Sequence, residues 1–351
     1  MDILPHPSRF ISAHDVRILR QYAADAEALQ DLHPAQLNVI YEKNWFNLFV
    51  PLAYNGKQLD LITALQLEEA IAWADGSTGW TVTLCSGANF FVGFLDQKLA
   101  EQIFRDNKTC FAGSGHPSGI AKTTNCGFEI SGHWKYATGA PHATIFTAVC
   151  QADDQKNIPG AFLFYKDEVF IQKDWDTMGL VATASNSFEV HNLTVPASRQ
   201  FRIEASFATL PGLIYQYPFL QFAETTLAVN TSGMVIRFLG LAEDLIKQKN
   251  TPLHLLHEQL ARLENARRSF YESVRQSWRE LSLHRAVAQQ TLEAVSIASR
   301  ELAGVARQAT HIIYPYCGVI AATRSAEINR VWRNIHTASQ HTLLLTDSHS
   351  L

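Results

Sequence analysis

The spacing of apolar residues changes character twice along the 351-residue chain, and this restricts its fold more than any other feature. From about residue 12 to 105 the pattern is helical, with breaks at Pro34, Pro51 and the turn Asp75-Gly-Ser-Thr-Gly79. Leu61, Ala64, Leu65, Glu68, Ile71 and Ala72 keep the three-and-four spacing of a helix face, with Glu68 as its polar interruption. From about 108 to 203 glycine becomes frequent and short alternating runs appear, as at Ala161–Tyr165 and Phe188–Val195. Alternation of period two between Gly, Asn and Asp clusters specifies a small β-barrel or sandwich. From about 217 to 345 long helices return with few breakers. The order helices, strands, helices predicts an α+β chain that is mainly α, with an N-terminal helical domain (1–107), a central β domain (108–203) and a C-terminal helical bundle (204–351). The polar stretch Gln151–Gly160 reads as a loop.

One helical seam, Leu292, Val295, Ser299, Leu302, Ala306, Ala309 and Ile313, keeps a spacing of three and four with many small side chains. Such a seam lets helices approach closely, in a bundle or between subunits. With only 18% charged residues against 47% hydrophobic, a homo-oligomer is expected. The net charge of −4 offers no basic face for nucleic acid. The cysteines at 85, 110, 126, 150 and 317 show neither CxxC pairing nor metal spacing, so reduced thiols and no metal are expected. No apolar run reaches the roughly 18 residues of a membrane span, and the start lacks the pattern of a secretory signal. A cytoplasmic enzyme without membrane association is the expectation.

Function is concentrated in Gly132-His-Trp-Lys-Tyr-Ala-Thr-Gly-Ala-Pro-His142. The sequence suggests a tight Ser131-Gly132 turn, then a strand carrying Trp134 and Tyr136 on one face. Thr138-Gly139 follows, a hydroxyl beside a residue whose bare backbone a flat ligand could approach. Neither a Gly-x-Gly-x-x-Gly turn nor a Walker-type loop is present, so a nucleotide would bind by another route.

This segment resembles the flavin-facing strand of acyl-CoA dehydrogenase-fold proteins, in the version found in their flavin-dependent monooxygenase branch. Four further stretches resemble the same branch in the same order. They are Trp45–Pro51 with Tyr54-Asn-Gly-Lys-Gln58, Leu67–Trp80, Asp176–Leu180 with Thr183-Ala-Ser185 and Val195-Pro196, and Arg330–His341. The resemblance spans about Trp45 to His341 and implies a central β-barrel and a C-terminal four-helix bundle, assembled as a homotetramer. It implies the oxygenase component of a two-component flavin monooxygenase, which takes reduced FMN or FAD from a separate, transiently bound flavin reductase. With O2, through a C4a-hydroperoxyflavin, such a protein hydroxylates an aromatic or similar small molecule.

Residue by residue, the resemblance assigns Trp134, Thr138, Gly139, Thr183 and Ser185 to the flavin. Thr138 stands where the branch usually has serine, and its hydroxyl meets the flavin near its reactive edge. The family arginine between Gly179 and Thr183 is replaced by Leu180-Val-Ala182. Ser114, His116 and His142 fall to the substrate pocket. His341, closing the last helix, is assigned to catalysis together with Thr138, the neutral imidazole taking the phenol proton. His336, five residues earlier, lies roughly 140° around a continuous helix and reads as a surface histidine. Two alternatives remain open at this point. An acyl-CoA dehydrogenase needs a carboxylate base; none occurs between Ile328 and Thr346, but Glu224 could serve. A non-catalytic flavin-binding relative is the other.

Overall fold

The computed structural model describes residues 4–152, 160–249 and 252–345, so most of the polar stretch 151–160 lies outside the described residues. The N-terminal helices are α1 (Ala13–Gln21), α2 (Ala23–Leu29), α3 (Pro34–Glu42), α4 (Leu61–Ala74), α5 (Gly76–Asn89) and α6 (Gln97–Ile103). Strands β1 (Phe111–Thr124), β2 (Gly127–Ala137), β3 (Ile145–Ala152), β4 (Gly160–Tyr165), β5 (Phe170–Gln172), β6 (Asn186–Val195) and β7 (Gln200–Phe201) follow. The chain then forms α7 (Phe219–Gln248), α8 (His254–His284), α9 (Gln289–Ile313), α10 (Val319–Ala322) and α11 (Glu327–Ala338).

Helices α4 and α5 form as a unit because Asp75, between them, caps α5. Its Oδ2 accepts from the Thr78 N–H at 2.9 Å and the Thr78 hydroxyl at 2.7 Å. Gly79 lets the two helices close, since a Cβ there would lie 2.4 Å from Ala72 Cα. Helix α4 also packs along α7, so the N-terminal domain and the bundle share one apolar core. A buried ionic cluster fastens this junction. Arg267 on α8 holds both oxygens of Glu69 at 2.9 Å, and Tyr271 and Ser232 donate to the same carboxylate. Removing either charge would strand the other in the core, at a cost of about 3–5 kcal/mol.

The strands form one sheet in the order β5-β6-β2-β1-β3-β4-β7. In a flat sheet β2 and β4, three places apart, would stand roughly 14 Å from each other. Yet the ring centroids of Trp134 and Phe164 are 5.9 Å apart, and those of Phe128 and Phe162 5.1 Å. The sheet therefore curls around a second core of aromatic and alanine side chains, separate from the helical one.

Three local expectations change. The Ser131-Gly132 turn is a register shift inside the continuous strand β2, where Ser131 accepts from Asn192 N–H at 2.8 Å. The last helix stops at Ala338, so His336 and His341 do not share a continuous helix. The α9 seam is consumed within the chain: Val295, Ser299, Leu302, Ala306, Ala309 and Ile313 are buried, and α9 packs on α7 and α8. It is therefore no argument for a subunit interface.

Candidate active site

Strand β2 changes hand just before the site. Trp134 is 0% exposed, while Tyr136, expected on the same face, is 69% exposed. The cause is a left-handed backbone at Tyr136, φ 68°, accompanied by a register shift between Trp134 and Ala137. A non-glycine residue there costs about 1–2 kcal/mol. Such strain persists where the surroundings enforce it, and it collects at ligand sites. Here it turns the phenol ring out to line a cavity of about 390 Å3 between the curled sheet, α5 and α7.

Three expected residues share this cavity: Thr138, Ser114 and His341. Thr138 ends a chain of hydroxyls. Its Oγ1 is 2.8 Å from Ser185 Oγ, which is 2.8 Å from Thr183 Oγ1. Thr183 donates to the Leu180 carbonyl at 2.8 Å, so the Thr183–Ser185 bond must use the serine hydrogen. Thr138 must then donate to Ser185. Each hydroxyl has one hydrogen, so Thr138 presents only lone pairs to the cavity.

His341 caps a short 3-10 turn, Thr342–Leu344, its Nδ1 accepting from the Leu343 N–H at 3.3 Å. The neutral ring therefore carries its hydrogen on Nε2. Burial lowers its pKa below the ordinary histidine value, and protonation would set two donors against each other at Nδ1. His341 is thus a neutral hydrogen-bond donor in its resting state, a different arrangement from the proton acceptor expected of it.

The other expected residues lie elsewhere. Trp134 belongs to the sheet core, not to a flavin wall: its indole N–H donates to the Val149 carbonyl at 3.0 Å. A Cβ at Gly119 or Gly132 would sit 2.1 or 2.5 Å from the indole ring. Gly139 has φ 75°, spends its N–H on the Thr183 carbonyl and packs against Cys85, so its backbone is not offered to a ligand. Thr183 and Ser185 are buried behind Thr138. His116 is exposed on the irregular part of β1 and is not among the cavity-lining residues. His142 Nε2 lies 2.7 Å from Asp31 Oδ1, although not in hydrogen-bonding alignment, and ties the turn after β2 to the α2–α3 linker. His336 donates Nδ1–H to the Trp332 carbonyl at 2.8 Å, and its ring packs at a tilt against that indole, centroids 4.0 Å apart.

Glu224 is buried on the far side of α7. Arg300 holds it at 2.9 Å and Ser296 donates to it, while its neighbours Ala223, Thr226 and Leu227 face the cavity. The base required by the dehydrogenase alternative is thus turned away and neutralised.

Sequence reasoning missed Tyr136 and the helical wall built from Thr83, Gly87, Phe91, Phe219 and Phe222. It also missed the clamp behind the cavity. Asn334 accepts from the Leu180 N–H at 2.7 Å, and Arg333 donates to the Met178 carbonyl at 2.6 Å while pairing with Glu27. These bonds fix the loop carrying Thr183. Leu180, Val181 and Ala182 are buried. A larger hollow, about 890 Å3, opens beside Tyr54, Glu101 and Arg105. Phe49 lines that hollow, and its T-shaped contact with the cavity-lining Phe222 at 4.8 Å lies between the two spaces. None of the expected site residues lines the larger one.

Comparison with known proteins agrees with the architecture. Residues 218–345 match the family described as acyl-CoA dehydrogenase, C-terminal domain. The indole-3-acetate monooxygenase of Pseudomonas putida is 24% identical over 313 residues, covering 85% of this chain and 80% of that one. The flavin-dependent monooxygenase oxygenase subunit HsaA of Mycobacterium tuberculosis is 23% identical, covering 92% and 88%. A crystal structure of the HsaA monooxygenase from M. tuberculosis superposes with a TM-score of 0.90 at 20% identity, over 97% of this chain and 94% of that one. The Streptomyces protein XiaF, solved with FADH2 and glycerol, gives 0.83 at 18% identity, over 94% and 89%. The chain has the acyl-CoA dehydrogenase fold, as its motifs imply.

Proposed function

We propose that this acyl-CoA dehydrogenase-fold chain is the oxygenase component of a two-component flavin-dependent monooxygenase that hydroxylates an aromatic small molecule. The observation that carries this reading is a cavity lined by Thr138 and His341 and, among the described residues, by no carboxylate. Removal of an α-proton from an acyl-CoA needs such a base, and Glu224 is spent on Arg300. The names of the relatives, an indole-3-acetate monooxygenase and an oxygenase subunit, support the same choice.

The residues present fit a reduced flavin. Reduced flavin carries an N–H at the central-ring position where the oxidised form has a bare acceptor nitrogen. The lone pairs of Thr138 suit the first and not the second. Bound there, the flavin supplies two electrons to O2, so that one oxygen atom enters the substrate and the other leaves as water. Tyr136 would shield the ring, and the apolar walls keep bulk water away from it. His341 Nε2–H would hold the substrate oxygen and stabilise the partial negative charge that develops on it. The reading includes FMN or FAD delivered by a separate reductase, a homotetramer and a cytoplasmic location. Among the described residues no helix is long and apolar enough to cross a membrane.

The test is anaerobic titration with reduced and oxidised flavin, followed by mixing with O2 and a panel of phenols. Tighter binding of the reduced form and oxygenated product are expected. Robust turnover of acyl-CoA esters, abolished by Glu224→Gln, would overturn the reading.

A further inference from the structure

The facing walls of the cavity come from two helices. Thr83 and Gly87 on α5 and Phe91 in the 3-10 turn that follows it recur every fourth residue, with Leu84 and Ala88 of α5 beside them. On α7, Phe219, Phe222, Ala223, Thr226 and Leu227 form the opposing stripe. The α7 stripe covers eight residue steps, about 12 Å at the helical rise, and the facing stripe spans the same number of residues. That length suits the long dimension of two fused rings better than that of one. The stripes have small side chains at mid-length and aromatic rings at one end, the arrangement of a slot for a flat molecule.

Two features of this slot have no structural explanation in the fold itself. The first is charge. Among the described residues no Asp, Glu, Lys or Arg lines the cavity. Of the charged residues adjoining lining residues in sequence, Glu224 pairs with Arg300 and Arg202 lies over the Phe207 ring, while Lys135 and Glu204 are exposed and are not among the lining residues. A ligand carboxylate would enter without a counter-ion, which burial penalises severely.

The second is Gly87. Glycine is the poorest helix former after proline, and this one lies inside α5. At Gly79 on the same helix a Cβ would collide with a neighbouring helix, so packing demands glycine. At Gly87 the nearest atom to an added Cβ is Phe222 Cε1 at 3.8 Å, an ordinary contact. Alanine would fit the fold there. What the missing side chain provides is depth in the cavity.

We propose that the substrate is an uncharged, flat molecule of at least two fused rings, lying along the α5–α7 slot, and that Gly87 is the residue setting its depth. The inference rests on the oxygenase reading for the chemistry, and on the slot alone for the shape and charge of the ligand.

Binding can be read without flavin, by calorimetry or by quenching of protein fluorescence, using 2-naphthol, 6-hydroxy-2-naphthoate and phenol. Wild type is expected to bind 2-naphthol at least 10-fold more tightly than phenol and about 10²-fold more tightly than the naphthoate. Gly87→Leu should reverse the preference for 2-naphthol over phenol. Gly87→Ala should reduce it in part while raising Tm, which serves if the leucine variant does not fold. Equal binding of naphthoate and 2-naphthol would overturn the neutral-substrate claim. An unchanged ratio of 2-naphthol to phenol in the alanine and leucine variants would overturn the role of Gly87. A parallel titration with reduced flavin separates the two layers. Arene selectivity without flavin binding would sink the oxygenase reading, whereas flavin binding without arene selectivity would sink this one.

Discussion

The two walls of the cavity are built on opposite principles. The strand wall is held by directed bonds: Thr138, Ser185 and Thr183 hand hydrogens along one line to the Leu180 carbonyl, and that loop is in turn held by Asn334 and Arg333. Its backbone is left-handed at Tyr136, Leu180 and Ala184. The helix wall presents helical stripes of alanine, glycine, leucine, threonine and phenylalanine. A wall of fixed dipoles suits a partner whose shape and hydrogen positions never vary, while an apolar wall can be reshaped one side chain at a time. On the proposed reading, the difference assigns cofactor recognition to the sheet and substrate selection to the helices. His341, entering from the C-terminal segment, faces both.

The largest effect is expected at that meeting point. His341→Ala should lower hydroxylation by about 10²-fold or more while reduced-flavin binding changes little. The reading is the ratio of hydroxylated product to hydrogen peroxide, with His336→Ala as the control whose ratio stays at the wild-type value. Because burial lowers the His341 pKa, the uncharged ring persists below pH 6.5. Coupling should therefore stay level from neutral pH through 6.5 and decline only in more acidic solution. A decline centred at 6.5 or above would mean that the imidazole titrates as though exposed.

A smaller effect separates the strand wall from the helix wall directly. Thr138→Val removes the acceptor but keeps the shape, and should weaken reduced-flavin binding about 5-fold, the worth of one ordinary hydrogen bond. Ser185→Ala touches no cavity atom yet frees the Thr138 hydrogen, so the preference for reduced over oxidised flavin should narrow. If Ser185→Ala leaves that preference intact, the hydrogen order along the chain is wrong.

The fold was legible because it rests on periodicity. The switch from helical to alternating spacing locates the sheet, and the Asp75-Gly-Ser-Thr turn locates the α4–α5 junction. Thr138, Ser114 and His341 were named through motif resemblance, and the three line one cavity. What could not be read was the hand of the backbone at one residue. Alternation alone sends Tyr136 inward with Trp134, and nothing in the sequence signals a left-handed tyrosine. Gly139 misled for the opposite reason, since a glycine required for a turn resembles one required by a ligand. Whether Glu224 could serve the dehydrogenase alternative stayed open in the sequence because a helix has two sides, and only its partner on α9 shows which one the carboxylate uses.

That misread strain can be measured. Tyr136→Gly should stabilise the backbone by about 1 kcal/mol while removing the ring from the cavity, so thermal stability should rise as flavin affinity falls. A fall in both would show that the ring holds the strand wall together.

The smallest effect concerns the core behind the helix wall. Burial raises the Glu68 pKa well above the carboxylate norm, and the Ser86 hydroxyl donates to one of its oxygens. A raised folded pKa gives stability that is complete at low pH and lost as pH rises through the folded value. Glu68→Gln should thus be nearly neutral for stability in mildly acidic buffer and flatten the loss seen on moving to alkaline buffer. Denaturant midpoints across pH would register it, and a large loss at every pH would mean that the carboxylate is ionised.

The indole of Trp134, wedged between Gly119 and Gly132, has a consequence for engineering. Because no side chain can intrude from either glycine, Trp134→Gly would leave a hole with the outline of free indole, immediately behind the strand that carries Thr138. Dissolved indole should refill it, restoring the curvature of the sheet and with it the hydroxyl line. The variant would then be an oxygenase whose flavin wall is switched on by a small molecule that never enters the reaction.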